Sequence, residues 1–166
     1  IVLHEKSEID PLTGMANRFR MNDYSDRVFA EAMADEIPLA VEILDIDYFK
    51  EYNDNYGHQQ GDRCLEQIAE VIRQLAAENN AFCARYGGDE FIVILDYETE
   101  GELEAKIQNL NKVVTEWNQK TTEDKQISFA SGFASNENDM TRSVWKVYEA
   151  ADHKMYEYKQ KYKMTR

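Results

Sequence analysis

The chain has 166 residues, 43% of them hydrophobic, and a formal net charge of −13. That length suits one domain with its own core, and the acidity argues against general nucleic-acid binding. No apolar run approaches the ~20 residues a membrane-spanning helix needs. Charges interrupt the opening IVLHEKSEID, so no secretory signal is expected.

Residues 1–9 read as the end of a linker helix arriving from upstream, and 10–166 as the domain itself. DPLTG at 10–14 has the punctuation of a turn. A helix is expected from Asn17 to about Asp35, with Phe19, Tyr24, Val28 and Ala32 near helical spacing. After Pro38, LAVEILDID has the look of a buried strand. YFKEYND predicts a short helix, NYGHQQG its exit loop, and Asp62 to about Ala77 an amphipathic helix. AFCARY and EFIVILD predict a hairpin around Gly87 and Gly88. Leu103, Ile107, Leu110, Val114 and Trp117 mark another helix. ISFASGFA alternates as a strand, with Ile127, Phe129, Ser131 and Phe133 on one face. A last helix is expected from about Arg142 toward Lys163. Cys64 and Cys83 lack the paired spacing of a zinc site, and both sit in apolar patterns. Buried thiols in a reducing cytoplasm are the expectation.

This order contains the split β-α-β-β-α-β pattern of ferredoxin-like folds. In that pattern the first and third strands pair antiparallel, so Asp45 and Asp47 at the end of one meet Asp89 and Glu90 at the start of the other. Carboxylates gathered at one sheet edge repel unless a cation neutralises them, and all-oxygen donors suit magnesium. A Gly-Gly dipeptide alone reads most simply as a hairpin turn. Five of the seven glycines, however, fall in three short motifs, at 14, 57, 61, 87 and 88. An EF-hand loop opening at Asp45 fails at Phe49 and Lys50, and no P-loop or G-x-G-x-x-G is present. Residues 151–166 hold five lysines and arginines against two acids, a +3 segment on a chain that otherwise carries −16. A lysine-rich terminal helix is usually a solvated face.

DPLTGMANR (10–18), DIDYFKEYNDNYGHQQGD (45–62), RYGGDEF (85–91) and ADHKMYEYK (151–159) together resemble the GGDEF family of bacterial diguanylate cyclases. The likeness runs from about Asp10 to Lys163. It implies an α/β (α+β) palm-type fold like that of class III nucleotidyl cyclases, with about five mostly antiparallel strands surrounded by helices. It also implies condensation of two GTP into cyclic di-GMP with release of pyrophosphate. One GTP sits on each domain, so turnover requires a homodimer. An upstream sensory or membrane domain would control a cytoplasmic output domain that has no nucleic-acid partner. A catalytically silent GTP-binding or interaction module on the same fold is the alternative.

Carried over residue by residue, the resemblance gives Asp45, Asp89 and the Ile46 carbonyl to two Mg2+ ions, with Mn2+ as substitute. Asp89 is the candidate proton acceptor and Glu90 supports it. Asn53 and Asp62 match the guanine readers, although helix-end and N-cap roles are the plainer alternatives. His58 touches substrate or stabilises the loop. Backbone N–H groups around Tyr48, Phe49 and Lys50 would cradle phosphates, with Lys50, Lys159 and Lys163 reaching the outer ones. Gly87 and Gly88 would leave room for the nucleotide. Asp10 and Arg18 belong to a motif read as structural. Many members carry an inhibitory R-x-x-D upstream of the glycines; here Glu78 and Ala81 stand at those positions.

Overall fold

The computed structural model describes residues 7–112, 129–139 and 143–162. Among these the chain runs α1 (Arg18–Asp35), β1 (Leu39–Ile46), α2 (Phe49–Tyr56), α3 (His58–Glu78), β2 (Phe82–Arg85), β3 (Glu90–Asp96), α4 (Glu100–Leu110), β4 (Phe129–Ser135) and α5 (Val144–Tyr162). The four strands form one sheet in the order β2-β3-β1-β4, antiparallel throughout. This is the ferredoxin-like order, with β1 and β3 side by side at the centre. Four of the roughly five expected strands thus lie within the described residues. Val114, Trp117, Ile127, Arg142 and Lys163 lie outside them.

Each strand alternates between two cores, because successive side chains point to opposite faces. Ala40, Leu44, Phe91 and Val93 pack with Leu65, Ile68 and Ile72 of α3. Val41, Ile43, Ile92 and Ile94 pack with Met21 and Phe29 of α1 and Val147 and Ala151 of α5. Helices therefore cover both faces, and β1, buried on both, reads as a continuous apolar run broken by Glu42.

Two local expectations are corrected, that for α1 and that for NYGHQQG. The buried stripe of α1 runs through Met21, Ser25, Phe29 and Ala32, and Phe19 is exposed. On β4 the described members of the expected face, Phe129, Ser131 and Phe133, do alternate together, with Phe129 buried and Phe133 exposed. NYGHQQG is not an exit loop. The break between α2 and α3 is Gly57 alone, at φ 86° and ψ 158°, a conformation few other residues adopt. Helix α3 therefore starts at His58, and Asp62 lies inside it rather than capping it.

Gly132 of β4 explains how α5 approaches the sheet. A Cβ there would collide with the Ala151 carbonyl oxygen and the Met155 nitrogen, both backbone atoms of α5. Backbone cannot swing aside as a side chain can. Gly132→Ala is expected to destabilise the fold by ~1–3 kcal/mol of overpacking. A urea melt with an unchanged midpoint would show that α5 has room to retreat.

Candidate active site

Strand pairing builds the first half of the site. Asp45 stands opposite Glu90 in the β1–β3 register, and the Ile46 N–H donates to the Asp89 carbonyl at 3.1 Å. Directly paired residues share a sheet face; here that face looks toward α5. Helix α5 answers each carboxylate with one side chain. Lys159 Nζ donates to Asp45 Oδ2 at 2.6 Å, and the Tyr148 hydroxyl donates to Glu90 Oε1 at 2.7 Å. The two donors lie about three helical turns apart.

The charges are poorly compensated. Burial raises the Asp45 pKa; Lys159 pulls it back, while Asp89 and Asp47 push it up again. Burial likewise raises that of Glu90, against the Tyr148 hydrogen bond, and Asp45, Asp152 and Asp89 add to the rise. Burial alone would lower the Lys159 pKa, but its bond to Asp45 and the charges of Asp45, Asp47 and Asp89 raise it. Lys159 therefore faces several carboxylates at once.

This donor set fits a hard divalent ion. Among the described residues no group of three or more His, Cys, Asp or Glu is assembled to hold a metal. Two carboxylates, Asp45 and Asp89, and the Ile46 carbonyl offer oxygen alone. Magnesium is commonly held by one or two carboxylates, with phosphate and water completing its octahedron.

The second half is a cleft of about 530 Å³ between α2, α3 and the glycine turn, within the ~300–1,000 Å³ usual for ligand sites. Phe49, Lys50, Asn53, His58, Asp62, Gly88 and Asp89 all line it. Tyr48 turns the chain from β1 into α2 at φ 56° and ψ 36°, and no side chain caps that helix. Gly61 lets α3 close on α2: a Cβ there would strike the Asn53 side chain. The glycine that resembled loop punctuation is what seats Asn53.

Gly87 and Gly88 are exposed, and neither holds a left-handed φ. A Cβ on Gly88 would meet nothing within 4 Å, and one on Gly87 only the Glu90 Cβ, at 3.6 Å. The fold itself does not require glycine here, so the primed hairpin turn is not the reason for the pair. Their bare backbone faces open space.

Sequence reasoning assigned no role to Arg85, although it lies in the quoted RYGGDEF. Its Nη2 donates to the Gly88 carbonyl at 2.8 Å, and its Nη1 pairs with the Asp10 carboxylate at 3.1 Å. Burial works against the Asp10 charge, but the Thr13 bonds and Arg85 hold its pKa below the ordinary carboxylate value. DPLTG is thereby clamped to the turn, the structural role expected of Asp10. Asp54 and Leu65 also line the cleft, where nothing in their spacing marked them. Lys163 is outside the described residues.

A palm-type sheet with carboxylates at the meeting of its two central strands is the architecture of nucleotidyl cyclase domains. The particular family follows from comparison: the model of the "Diguanylate cyclase, GGDEF domain" family matches residues 7–165, and the chain belongs to that family. Diguanylate cyclase DgcS of Shewanella oneidensis is 30% identical over 151 residues, covering 90% of this chain and 49% of that protein. Diguanylate cyclase A of Treponema denticola is 36% identical over 123 residues, covering 74% and 33%. The chain thus spans half or less of these relatives. Among solved structures, the GGDEF domain of DgcB from Caulobacter crescentus, in complex with c-di-GMP, superposes with a TM-score of 0.82 at 32% identity. That match covers 97% of this chain and 95% of the other. Diguanylate cyclases of this family generally depend on a divalent metal. Among the described residues no helix is long and apolar enough to cross a membrane.

Proposed function

We propose that this chain is a diguanylate cyclase domain, condensing two GTP into cyclic di-GMP and releasing pyrophosphate. The observation that carries the reading is the register of β1 on β3, which sets Asp45 opposite Glu90 and beside Asp89 at the mouth of the Asn53–Asp62 cleft. Asp45, Asp89 and the Ile46 carbonyl would hold two Mg2+, and Mn2+ would substitute. Bound there, the metals would stabilise the attacking 3′-oxygen and the leaving pyrophosphate. Asp89 would take the proton of the 3′-hydroxyl, and Glu90, held by Tyr148, would keep the negative edge in shape. Lys50, Lys159 and Lys163 would draw the outer phosphates, with the N–H groups at the start of α2 supporting them. Lys159 then exchanges its Asp45 bond for a phosphate.

Each domain holds one nucleotide, so the competent species is a homodimer, with its geometry set by whatever lies upstream. The free thiols of Cys64 and Cys83 suit a cytoplasmic setting. Incubating the protein with Mg2+, GTP and ATP, then weighing the products by mass spectrometry, tests the proposal. Cyclic di-GMP alone is expected; GTP binding without product would identify a silent module instead.

Guanine would be read by Asp62, accepting from N1–H and the 2-amino group, and by Asn53 on the other edge. His58 and Phe49 would complete the walls, and Gly87 and Gly88 the floor. Asp62 is exposed on α3, so its removal leaves the fold intact. Asp62→Ala is expected to weaken GTP binding by ~1–3 kcal/mol and to loosen the preference over ATP. A preference for GTP as strong as the parent's would place base reading elsewhere.

Product feedback through an R-x-x-D site is not expected. Glu78 ends α3 as an exposed carboxylate and Ala81 follows with a methyl group. The first repels phosphates and the second accepts nothing. Initial rates are therefore expected to stay flat as cyclic di-GMP is added, short of competition at the GTP cleft. Non-competitive inhibition relieved by substitutions around Glu78 would contradict this.

A further inference from the structure

Glu90 is held at both ends by a pair of tyrosines in ring contact. Its backbone carbonyl accepts from the Tyr86 N–H at 2.9 Å, and its Oε1 accepts from the Tyr148 hydroxyl at 2.7 Å. The centres of the two rings lie 5.6 Å apart. Trp145, one turn earlier on α5, meets the Tyr148 ring edge-on at 6.1 Å. A tyrosine side chain turns about two torsions only, so a ring packed on two neighbours aims its hydroxyl in a fixed direction. Burial first, and then the bond to Glu90, raise the Tyr148 pKa, and the hydroxyl keeps its proton to donate.

The fold alone gives little reason for this grip. Glu90 begins β3 and is only half-buried, so solvent is within its reach. Instead it is kept opposite Asp45, with Asp89 beside it and Asp152 facing it from α5. Burial and these three acids together oppose its charge. Lys159, the cation nearest this edge, is taken by Asp45, and Arg18 acts on Glu90 only at longer range from its place over the Tyr86 ring. Fixing a glutamate side chain costs up to ~2 kcal/mol of rotamer freedom, and here it is fixed among like charges. A hydroxyl bonded to a carboxylate is one of the stronger hydrogen bonds, and it is what resists that repulsion. A carboxylate held among others is an edge organised in advance for a cation.

We propose that Tyr148 is a positioning residue, pinning Glu90 opposite Asp45 so that the edge is assembled before the divalent ion arrives. The proposal rests on the cyclase reading and deepens it, adding a side chain of α5 to the metal edge. Tyr148 acts through Glu90 and needs no contact of its own with metal or nucleotide. Without its hydroxyl, Glu90 swings from Asp45 into water, and the ion must gather the edge as it binds.

The test is a double-mutant cycle read by metal binding. Mn2+ is titrated into wild type, Y148F, E90A and Y148F/E90A, each with the same excess of α,β-methylene GTP, and paramagnetic resonance reads the protein-bound ion. Y148F keeps the ring against Tyr86 and Trp145 and loses only the hydroxyl. It is expected to bind Mn2+ about 5-fold to 10-fold more weakly than wild type. Added to E90A, the same change should alter the affinity by less than about twofold, because the group it positions is gone. In turnover, the metal concentration for half-maximal rate should rise with the loss of affinity, while the KM for GTP at saturating metal stays put. Three results overturn the proposal: Mn2+ affinity in Y148F within about twofold of wild type, an equal fall when Glu90 is already absent, or no Mn2+ uptake by wild type. The second would mean that the hydroxyl acts by another route. Wild type that binds Mn2+ but makes no cyclic di-GMP would sink the cyclase reading alone, and the cycle would still decide the role of Tyr148.

Discussion

Asp45→Ala and Asp89→Ala are each expected to lower cyclic di-GMP synthesis by roughly 1,000-fold, a loss of several kcal/mol of transition-state stabilisation. Each removes one of the two carboxylates that the proposed metal site would use. Neither should unfold the domain. Asp45 is a charge that its own surroundings oppose, and its loss relieves repulsion from Asp47 and Asp89. The Lys159 left behind reaches solvent, with 37% of its side chain exposed. Melting temperatures near the parent's, with turnover nearly gone, are the expected pair of results. Turnover close to the parent's in either variant would remove that residue from the metal site.

Glu42→Leu is expected to make the protein more stable, increasingly so as pH rises. Glu42 sits mid-strand in β1, wholly buried, and neither carboxylate oxygen has a hydrogen-bond partner among the described residues. Its cross-strand neighbours are Val93 and Phe133. Burial raises its pKa well above the ordinary 4.5. Below pH 4.5 the carboxyl is neutral folded and unfolded alike, and the folded state carries no ionisation cost. Above it the unfolded chain releases the proton while the folded chain keeps it. Stability then falls by ~1.4 kcal/mol per pH unit until the folded pKa is passed. Leucine is close in volume and cannot ionise. Urea unfolding at a series of rising pH values above about 5 should show the parent losing stability relative to Glu42→Leu. Parallel profiles would mean that the carboxyl finds a partner in solution.

What was legible in the chain was whatever depends on order and periodicity. The split βαββαβ order is enough to pair β1 with β3, and that pairing alone brings Asp45 to Glu90 across 45 residues of sequence. The motif residues Asn53, His58 and Asp62 share a cleft because helical spacing keeps them together over the Gly57 break. The start of α3 was misplaced because glycine has two uses that look alike in a sequence. Gly57 breaks a helix by its φ, whereas Gly61 sits inside one to admit Asn53. Partners of single side chains were not legible at all. Nothing in the spacing joins Tyr148 to Glu90, 58 residues away, or Arg85 to Asp10, 75 away. Glu42 was hidden for the opposite reason. One polar letter in LAVEILDID does not disturb the reading of a strand, and alternation cannot say that both faces are sealed.

Asp45 and Glu90 look toward α5, while the cleft that Asp89 lines lies against α2 and α3 on the other face of the sheet. A ligand gripped at both places lies as a strap over the end of the sheet, tying together two helical layers that the strands keep apart. Its binding free energy is then shared with the whole fold rather than lodged in one helix. Loosening either buckle loosens the strap, so a change on α5 should weaken the hold on a base that α5 never touches.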